Sequence, residues 1–319
     1  MDRNYRMLWW RHCLAIIGFS VIPLLFVNLS LYALFDRIYT AKVTETLRSS
    51  VENRRDAIDL FFNERIAQLF TVANTNTFAE LTDEAYLGRV FEVMHAKSDS
   101  YMDIGIIDSE GNHLAYVGPY HDLLISVNYK NEPWFNEVRA KGVHISDIFM
   151  GYRKFPHFII AVMVREQNTS WILRVTINLK NIDHIVEKAW AGTLSDAFLI
   201  NSKNRLQTVP RFGGEFLAVP TIPQFTTSTL EPVPYPDFSS TVKTKVERLD
   251  LRGYEAFIAA APVEHTKWVL VLKENPDEIL SPLVKGRYWM ALLTALGLAI
   301  IAAGAALFTN GLINRIRET

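Results

Sequence analysis

The chain has 319 residues, enough for about two domains of ordinary size. Its 33 basic and 34 acidic side chains give a formal net charge of −1, so nothing in the charge favours nucleic acid as a partner. With 49% apolar residues the chain is expected to fold, and its single cysteine, Cys13, excludes an internal disulfide framework and any site built from several thiolates.

Two segments without a charged residue lie near the ends of the chain, at residues 13–35 and 288–308. Each reaches the roughly 20 apolar residues that a helix needs to cross a bilayer. Trp and Tyr side chains lie at their edges, as is common at membrane interfaces. A cleaved signal peptide is the alternative for the first segment, but the apolar core of such a signal is only about 7–15 residues long. We therefore predict two membrane-spanning helices.

Basic residues outside the two segments indicate the orientation. Arginines precede the first segment and follow the second, which predicts a cytoplasmic tail at residues 1–12 and a cytoplasmic segment at residues 309–319. Basic residues also flank the opposite side, but this conflict is weak because a long loop crosses largely regardless of its charges. Residues 36–287 would then be periplasmic, in a protein of the bacterial inner membrane, and their lack of cysteine fits that compartment.

Residues 36–74 contain neither proline nor glycine, and their apolar residues recur mostly every four or seven positions. This pattern predicts a long periplasmic helix over residues 36–80 that continues the first span outward. Two interpretations of this helix remain open, a plain structural stalk and a dimerisation helix. A second amphipathic segment, at residues 84–96, predicts a further helix.

The period changes at residue 102, where β-branched and aromatic residues become frequent. Strands are predicted over residues 102–108, 113–117, 143–149, 158–164 and 171–178. Pro133 opens a short helix that Gly142 ends, and residues 181–190 predict another helix. This order predicts an antiparallel sheet with helices packed on it.

The sequence then repeats itself. Residues 106–114 are echoed by residues 199–206, and residues 157–182 by residues 256–279, with Trp171 aligned to Trp268. Two tandem modules of one kind follow from this repeat, at residues 81–190 (the first module) and 191–287 (the second module). Residues 208–240, rich in Pro, Gly, Ser and Thr, replace the helical part in the second module and predict a long irregular loop there.

This arrangement resembles the double Cache sensor domain of bacterial transmembrane receptors. The residues that carry the resemblance are Pro133-Trp134-Phe135 before a short helix, Ile145-Ser146-Asp147 on the next strand, and the two Trp-containing hairpins. The resemblance implies an α+β fold in which two transmembrane helices flank a long helix and two tandem PAS-like antiparallel-sheet modules. The first module would be membrane-distal and the second membrane-proximal. Residues 309–319 would begin a cytoplasmic signalling linker, from a receptor either cut short or encoded without its output.

The resemblance also bears on the ligand. Members that sense amino acids carry an Arg two positions before the Trp, a Tyr after it, a second Tyr on the following strand and an Asp on the last strand. Here Glu132 stands at the Arg position and Phe135 at the first Tyr, while Phe149 falls near the second Tyr and Thr176 near the Asp. Only Trp134 is retained. An α-amino acid needs the Arg for its carboxylate and the Asp for its ammonium group, so we expect a different ligand.

Three basic residues favour an anion as the ligand. Arg153 and His157 lie between two predicted strands, where a solvated hairpin tip is the alternative. Arg174 shares a strand face with Thr176, and a charge on that face must be paired or meet a ligand. A structural ion pair with Asp147, Glu132 or Asp103 is equally open for it. The predicted ligand-binding residues are Trp134, Phe135, Asp147, Tyr152, Arg153, His157, Arg174 and Thr176.

The usual catalytic and nucleotide-binding sequences, such as GxSxG, HExxH and GxGxxG, do not occur. We therefore predict no catalytic centre, metal site or cofactor. The favoured function is the input module of a sensor histidine kinase. Alternatives are a chemoreceptor, a cyclic-dinucleotide enzyme, or a stand-alone receptor that acts through a partner protein. The expected partners are the membrane, a small anionic ligand, a second copy of the chain, and a cytoplasmic kinase or signalling module in cis or in trans; nucleic acid is not expected.

Overall fold

The computed structural model of the chain describes residues 3–166, 169–188, 195–222, 233–251 and 254–318. The chain divides into two compact units. One is an outer unit of residues 47–275, and the other joins residues 1–46 to residues 276–319. The first helix, α1 (Arg3–Thr75), is continuous and contributes to both units.

Two shorter helices follow α1, namely α2 (Phe78–Leu81) and α3 (Glu84–Lys97). The helix predicted over residues 36–80 thus ends at Thr75. It does so because Thr77 has an extended backbone and starts α2 with a capping box, in which Thr77 and Glu80 satisfy each other's backbone N–H groups. The Asp83 carboxylate likewise accepts two backbone N–H groups at the start of α3.

The first module contains a five-stranded antiparallel sheet in the order β2-β1-β5-β4-β3. Its elements are β1 (Tyr101–Asp108), β2 (His113–Val117), α4 (His121–Leu124), α5 (Pro133–Lys141), β3 (Val143–Ile145), β4 (Phe158–Glu166), β5 (Thr169–Ile177) and α6 (Lys180–Glu187). As predicted, α5 starts at Pro133 and stops at Gly142, which adopts the left-handed φ of 80°. Trp190, where the predicted helix over residues 181–190 ends, lies outside the described residues.

Strand β3 is shorter than the predicted segment of residues 143–149. Regular pairing stops at Ile145, beyond which the Ser146 hydroxyl accepts the backbone N–H of Ile159. Pairing returns only as a single bridge between Phe149 and His157. The two residues in between, Asp147 and Ile148, are thereby free to bond elsewhere.

The second module contains a four-stranded antiparallel sheet in the order β6-β11-β10-β9, with a separate two-stranded ladder of β7 and β8. Its strands are β6 (Asp196–Ile200), β7 (Thr221–Ile222), β8 (Val233–Pro234), β9 (Lys245–Leu251), β10 (Tyr254–Pro262) and β11 (Val269–Glu274). The four strands correspond in order to β1, β5, β4 and β3, which confirms the repeat. Among the described residues, the returning strand β2 has no full counterpart, because a single bridge between Ile200 and Leu206 stands in its place.

Helix α1 joins the two modules inside the outer unit. The apolar stripe predicted from the sequence is buried, with Ile58, Phe62 and Leu69 all at 0% exposure. The Phe62 ring contacts Phe158 of β4 at 6.0 Å and Trp268, next to β11, at 5.7 Å between ring centroids. Both modules therefore pack on one face of the same helix.

The other unit pairs the first part of α1 with α7 (Pro276–Ile279) and α8 (Ser281–Glu318). Its hydrogen bonds run along the full length of the pair, from Trp9 Nε1 to Asn310 Oδ1 at 2.8 Å to the Tyr39 hydroxyl on the Ile279 carbonyl at 2.9 Å. Within the described residues, two helices are long and apolar enough to cross a membrane, inside Trp9–Thr75 and Ser281–Gly311. The predicted spans, residues 13–35 and 288–308, lie within them.

Candidate functional site

A small cavity lies inside the first module, between the sheet, α5 and the loop of residues 149–157. Its free volume is about 20 Å³, which is room for one water molecule. The walls carry one acidic side chain, Glu132, and several aromatic and basic ones, namely Tyr129, Trp134, Phe149, Arg153, His157 and Arg174. The site is therefore closed in this structure, with polar groups aimed at its centre.

Alternation along β5 places Arg174 in this cavity. Its Cα partners on the neighbouring strands are Gly105 of β1 and Ala161 of β4. Both partners are small, and a Cβ on Gly105 would lie 3.1 Å from the His113 ring, so side chains pack closely on this part of the sheet. Arg174 is only 2% exposed. A glycine inside a strand often marks such a close approach.

Arg174 is held by three polar partners and two rings. Its Nη2 donates to the Thr176 hydroxyl at 2.8 Å and to Asp103 Oδ1 at 3.2 Å, and its Nη1 donates to the Tyr129 hydroxyl at 3.1 Å. The guanidinium also lies 5.3 Å from the Tyr129 ring and 6.0 Å from the Trp134 ring. Among the three carboxylates predicted as possible ion-pair partners, Asp103 is the one that pairs with Arg174. Arg174 also lines the cavity.

Arg153 reaches the same carboxylate from the loop of residues 149–157. Its Nη2 lies 2.5 Å from Asp103 Oδ2, and its side chain is 3% exposed. The loop turns with positive φ at Gly151 and Lys154, and a Cβ on Gly151 would lie 2.9 Å from the His157 ring. The alternative of a solvated hairpin tip thus does not describe Arg153 or His157, both of which are buried.

Two buried histidines in the site are neutral. His157 Nδ1 donates to the Phe155 carbonyl at 2.8 Å, which leaves Nε2 to accept from Arg153 Nη1 at 3.0 Å. Burial lowers the pKa of His157 to about 4. His113 bonds the Leu124 carbonyl at 2.7 Å in the same way, and burial together with nearby Arg174 lowers its pKa to about 4.

The interior of the site therefore carries an excess positive charge. Two buried guanidinium groups share one buried carboxylate, Asp103, which is 0% exposed. Glu132 lies at the rim, where it is half-exposed and accepts the Tyr152 hydroxyl at 3.4 Å. Among the described residues, the Nε atoms of Arg153 and Arg174 are buried and have no hydrogen-bond partner.

The structure brings six of the eight predicted site residues together. Trp134, Tyr152, Arg153, His157 and Arg174 border the cavity, and Thr176 bonds Arg174. Phe135 does not border it. This ring packs in the apolar cluster behind the cavity with Val138 and Ile159, because adjacent residues on a helix point about 100° apart.

Asp147 does not border the cavity either. Its carboxylate accepts Trp268 Nε1 at 2.9 Å and Asn201 Nδ2 at 3.0 Å, both in the second module. The neighbouring backbone N–H of Ile148 bonds Gln207 Oε1 at 2.8 Å. The interruption of β3 thus turns Asp147 toward the contact between the two modules.

The predicted site left out several residues that the structure places there, among them Tyr129 and the shared carboxylate of Asp103. A signal for Asp103 was present, since an acidic residue two positions before a glycine in an otherwise apolar strand shares that glycine's face. No comparable pattern marks Tyr129, which lies in the irregular segment before α5.

Solved structures of other proteins have a similar fold at low sequence identity. No protein-family model matches the sequence, and no curated protein does. The ligand-binding domain of the Pseudomonas fluorescens chemoreceptor CtaA, in complex with L-isoleucine, is 14% identical, with a TM-score of 0.56 over 77% of this chain and 97% of that one. The corresponding domain of Pseudomonas aeruginosa PctB, with L-Arg, is 16% identical, with a TM-score of 0.56 over 81% of this chain and 98% of its own.

A third solved structure, the ligand-binding domain of Pseudomonas aeruginosa PctC in complex with GABA, is 12% identical and has a TM-score of 0.51 over 73% of this chain and 99% of its own. At such low identities the similarity establishes the fold and nothing finer. All three of these solved structures are ligand-binding domains of chemoreceptors.

Proposed function

We propose that this chain, whose outer segment has the double Cache fold, is the ligand-sensing input module of a bacterial transmembrane receptor and binds a small anion in its first module. Residues 36–287 would lie in the periplasm, anchored in the inner membrane by the two apolar helices. The ligand would occupy the cavity between Arg174, Arg153 and Trp134.

One observation supports an anion above other ligands, namely the two buried guanidinium groups that share a single carboxylate. A buried charge without a counter-charge is costly, so an anionic ligand would supply what the site lacks. The unpartnered Nε atoms of both arginines are donors for its oxygens, and hydrogen bonds between guanidinium and carboxylate groups are among the strong ones. Trp134 and Tyr129 offer aromatic walls for a short apolar part.

An α-amino acid fits this site less well. Its ammonium group needs a carboxylate inside the cavity, and the buried candidate, Asp103, is already engaged by Arg153 and Arg174. Glu132 also lines the cavity, but it is half-exposed, so its carboxylate is weaker as a partner for a buried ammonium group. Amino acids, which the three similar domains bind, are therefore a control class for this chain.

Binding would require the closed site to open. The free volume of about 20 Å³ is too small for an organic anion, and Arg153 closes the side of the loop of residues 149–157. A ligand that displaces this loop would favour one of two packings of the outer unit. The continuous helix α1 connects that unit to the first apolar segment and would carry the shift toward the cytoplasm.

The output is proposed to be a sensor histidine kinase, in cis or in trans, acting as a homodimer. Chemoreceptors and cyclic-dinucleotide enzymes are the alternatives, and the chemoreceptor domains CtaA, PctB and PctC share the fold. A protein with a stand-alone receptor role would signal through a partner chain. Phosphorylation assays with the receptor's own cytoplasmic partner would separate a kinase from the other outputs.

A thermal-shift experiment tests the ligand class. The full-length protein in detergent is heated with small carboxylates, phosphate or sulfate, with the uncharged amides of the same carboxylates, and with amino acids. A native-state ligand raises Tm, so at least one anion should do so while its amide does not. Arg174→Gln should remove the response, and Arg139→Gln, at an exposed site on α5, should keep it. Stabilisation by amino acids alone would contradict the proposal.

The proposed orientation has a separate test. A reporter that is active only outside the cytoplasm, fused after Asn201, should be active, and the same reporter fused after Thr319 should be silent. The reverse pattern would place the outer unit on the cytoplasmic side.

A further inference from the structure

Resting on the proposed function, we infer that Asp103 is the specificity-determining residue of the site: it neutralises one of the two guanidinium groups and thereby selects a ligand with one negative charge over a ligand with two. The ligand class is then a small monocarboxylate or a similar monovalent oxyanion.

Asp103 is fixed between the two arginines. Its Oδ2 lies 2.5 Å from Arg153 Nη2 and its Oδ1 lies 3.2 Å from Arg174 Nη2. In the register of the sheet its Cα partner is Thr176, the residue that also accepts from Arg174. The backbone of Gly118 closes over it, since a Cβ there would lie only 2.4 Å from the Asp103 Cβ. The carboxylate thus has no room to swing out toward solvent.

The other groups that face Asp103 leave the charge count unchanged. His157 donates through Nδ1 and accepts through Nε2, the bonding pattern of a neutral ring. His113 likewise bonds a backbone carbonyl, and Tyr129 and Tyr116 contribute hydroxyl groups. Glu132 lines the cavity as well, but it is half-exposed and its hydrogen bond to Tyr152 lies at the surface. Among the described residues, two buried guanidinium groups against one buried carboxylate leave the interior with one uncompensated positive charge.

A ligand with one negative charge would bring the buried interior to neutrality. A dianion would leave one negative charge buried without a partner, which is costly in the same way as the free cation. The unpartnered Nε atoms of Arg153 and Arg174 give that single anionic group two donors that Asp103 does not occupy. If Asp103 were neutral, the two guanidinium groups would instead suit a dianion.

Calorimetric titration of the full-length protein in detergent tests this with three four-carbon probes: butyrate, succinate and the neutral butyramide. We expect the wild type to prefer butyrate, and Asp103→Asn, with one more positive charge inside, to shift the ratio of succinate to butyrate affinity by at least about tenfold. Arg153→Gln, with one positive charge fewer, should bind neither anion. The double variant Arg153→Gln/Asp103→Asn restores the wild-type charge and should again prefer butyrate.

Glu110→Gln is the matched control, because it removes one negative charge from an exposed position of the same module. Its affinity ratio should equal that of the wild type. If Asp103→Asn alone does not fold, the other two variants decide. Butyrate binding lost in Arg153→Gln and regained in the double variant supports the inference, whereas butyrate affinity within about twofold of wild type in Arg153→Gln overturns it.

Different results would contradict the proposed function and the role of Asp103. If the wild type binds neither butyrate nor succinate nor any other small anion, the proposed function is wrong. If it binds anions with the same ratio in the wild type, in folded Asp103→Asn and in the double variant, only the role of Asp103 is wrong.

Discussion

Four strands have the same order in the two modules, and the basic cavity described above lies in the first of them. The difference is concentrated at the position of Arg174, which aligns with Val271 in the second module. Arg174 lies between Gly105 and Ala161, and Val271 between Phe198 and Ala260. The first module thus has a glycine where the second has a phenylalanine, and the His113 ring would lie 3.1 Å from a Cβ on that glycine.

The segments that cover the two sheets also differ. In the second module, Ile222, Tyr235 and Phe238 pack with Val271 and Phe198 in one apolar cluster. In the first module, the loop of residues 149–157 instead brings Arg153 and His157 over the sheet. One sheet topology thus supports either a polar cavity or an apolar core. The difference depends on a few side chains at one position of the sheet and on the loop that covers them.

The largest effect is expected from giving the second module the charge of the first. Val271→Arg would bury a guanidinium group in an apolar cluster without a counter-charge, at a cost of several kcal/mol. Urea denaturation of residues 36–287, followed by circular dichroism, should show a much lower midpoint or no folded state. Val242→Arg, at a position that is 83% exposed, is the control and should leave the midpoint unchanged. Equal urea midpoints for both variants would show that Val271 does not lie in an apolar core.

The two tryptophans should separate stability from binding. Trp268 is buried, contacts Phe62 and Phe158, and donates to Asp147, so Trp268→Ala should lower the free energy of unfolding by about 3–5 kcal/mol and spare ligand affinity in refolded protein. Trp134→Ala should instead weaken binding, by a few kcal/mol at most. Calorimetric titration with a stabilising anion measures both, and the opposite pattern would move the site to the second module.

A smaller loss of stability is expected when the first module is made to resemble the second. Arg174→Val should remove ligand-induced stabilisation while costing less than the about 3–5 kcal/mol of a fully broken buried pair, because Asp103 keeps Arg153. Adding Arg153→Gln should cost more than the two single changes combined, since Asp103 then has neither partner. Thermal unfolding without ligand measures these losses, and simple additivity would argue against a shared carboxylate.

The smallest effect is expected on the pH dependence of stability, through a contact between α1 and the second module. Arg65 bonds Ser98 and Ser100 of the first module, whereas Asp59 accepts the backbone N–H of Glu264 in the second at 2.7 Å. Burial raises the pKa of Asp59 from 3.8 to about 6, so the folded state binds this proton more tightly than the unfolded chain does. The stabilising contribution is therefore complete below about pH 4 and is lost as the pH rises through about 6.

Asp59→Asn should reduce this loss of stability between about pH 4 and pH 7. It should not abolish the loss, because burial raises the pKa of Asp183 to about 6 as well. Melting temperatures across this range measure the slope, with Asp56→Asn, an exposed neighbour, as the control. An unchanged slope in Asp59→Asn would show that this contact does not titrate.

Much of the architecture follows from local sequence patterns. The apolar segments, the caps of α3 and α5, the strands and the repeat of the two modules depend on periodicity and on single residues such as Pro133 and Gly142, which act within a few positions of themselves. The polar face of β5 with Arg174 and Thr176 follows from simple alternation along the strand.

The remaining features depend on contacts between distant parts of the chain. The sequence allowed three carboxylates as partners of Arg174, and only the register of β1 against β5 brings Asp103 opposite Thr176. The path of the chain beyond β3 sends Asp147 to Trp268, and the packing of α5 turns Phe135 into the core. Strand register and loop path are set by the packing of the whole unit rather than by neighbouring residues. For that reason the tertiary structure alone decided which charges meet in the cavity.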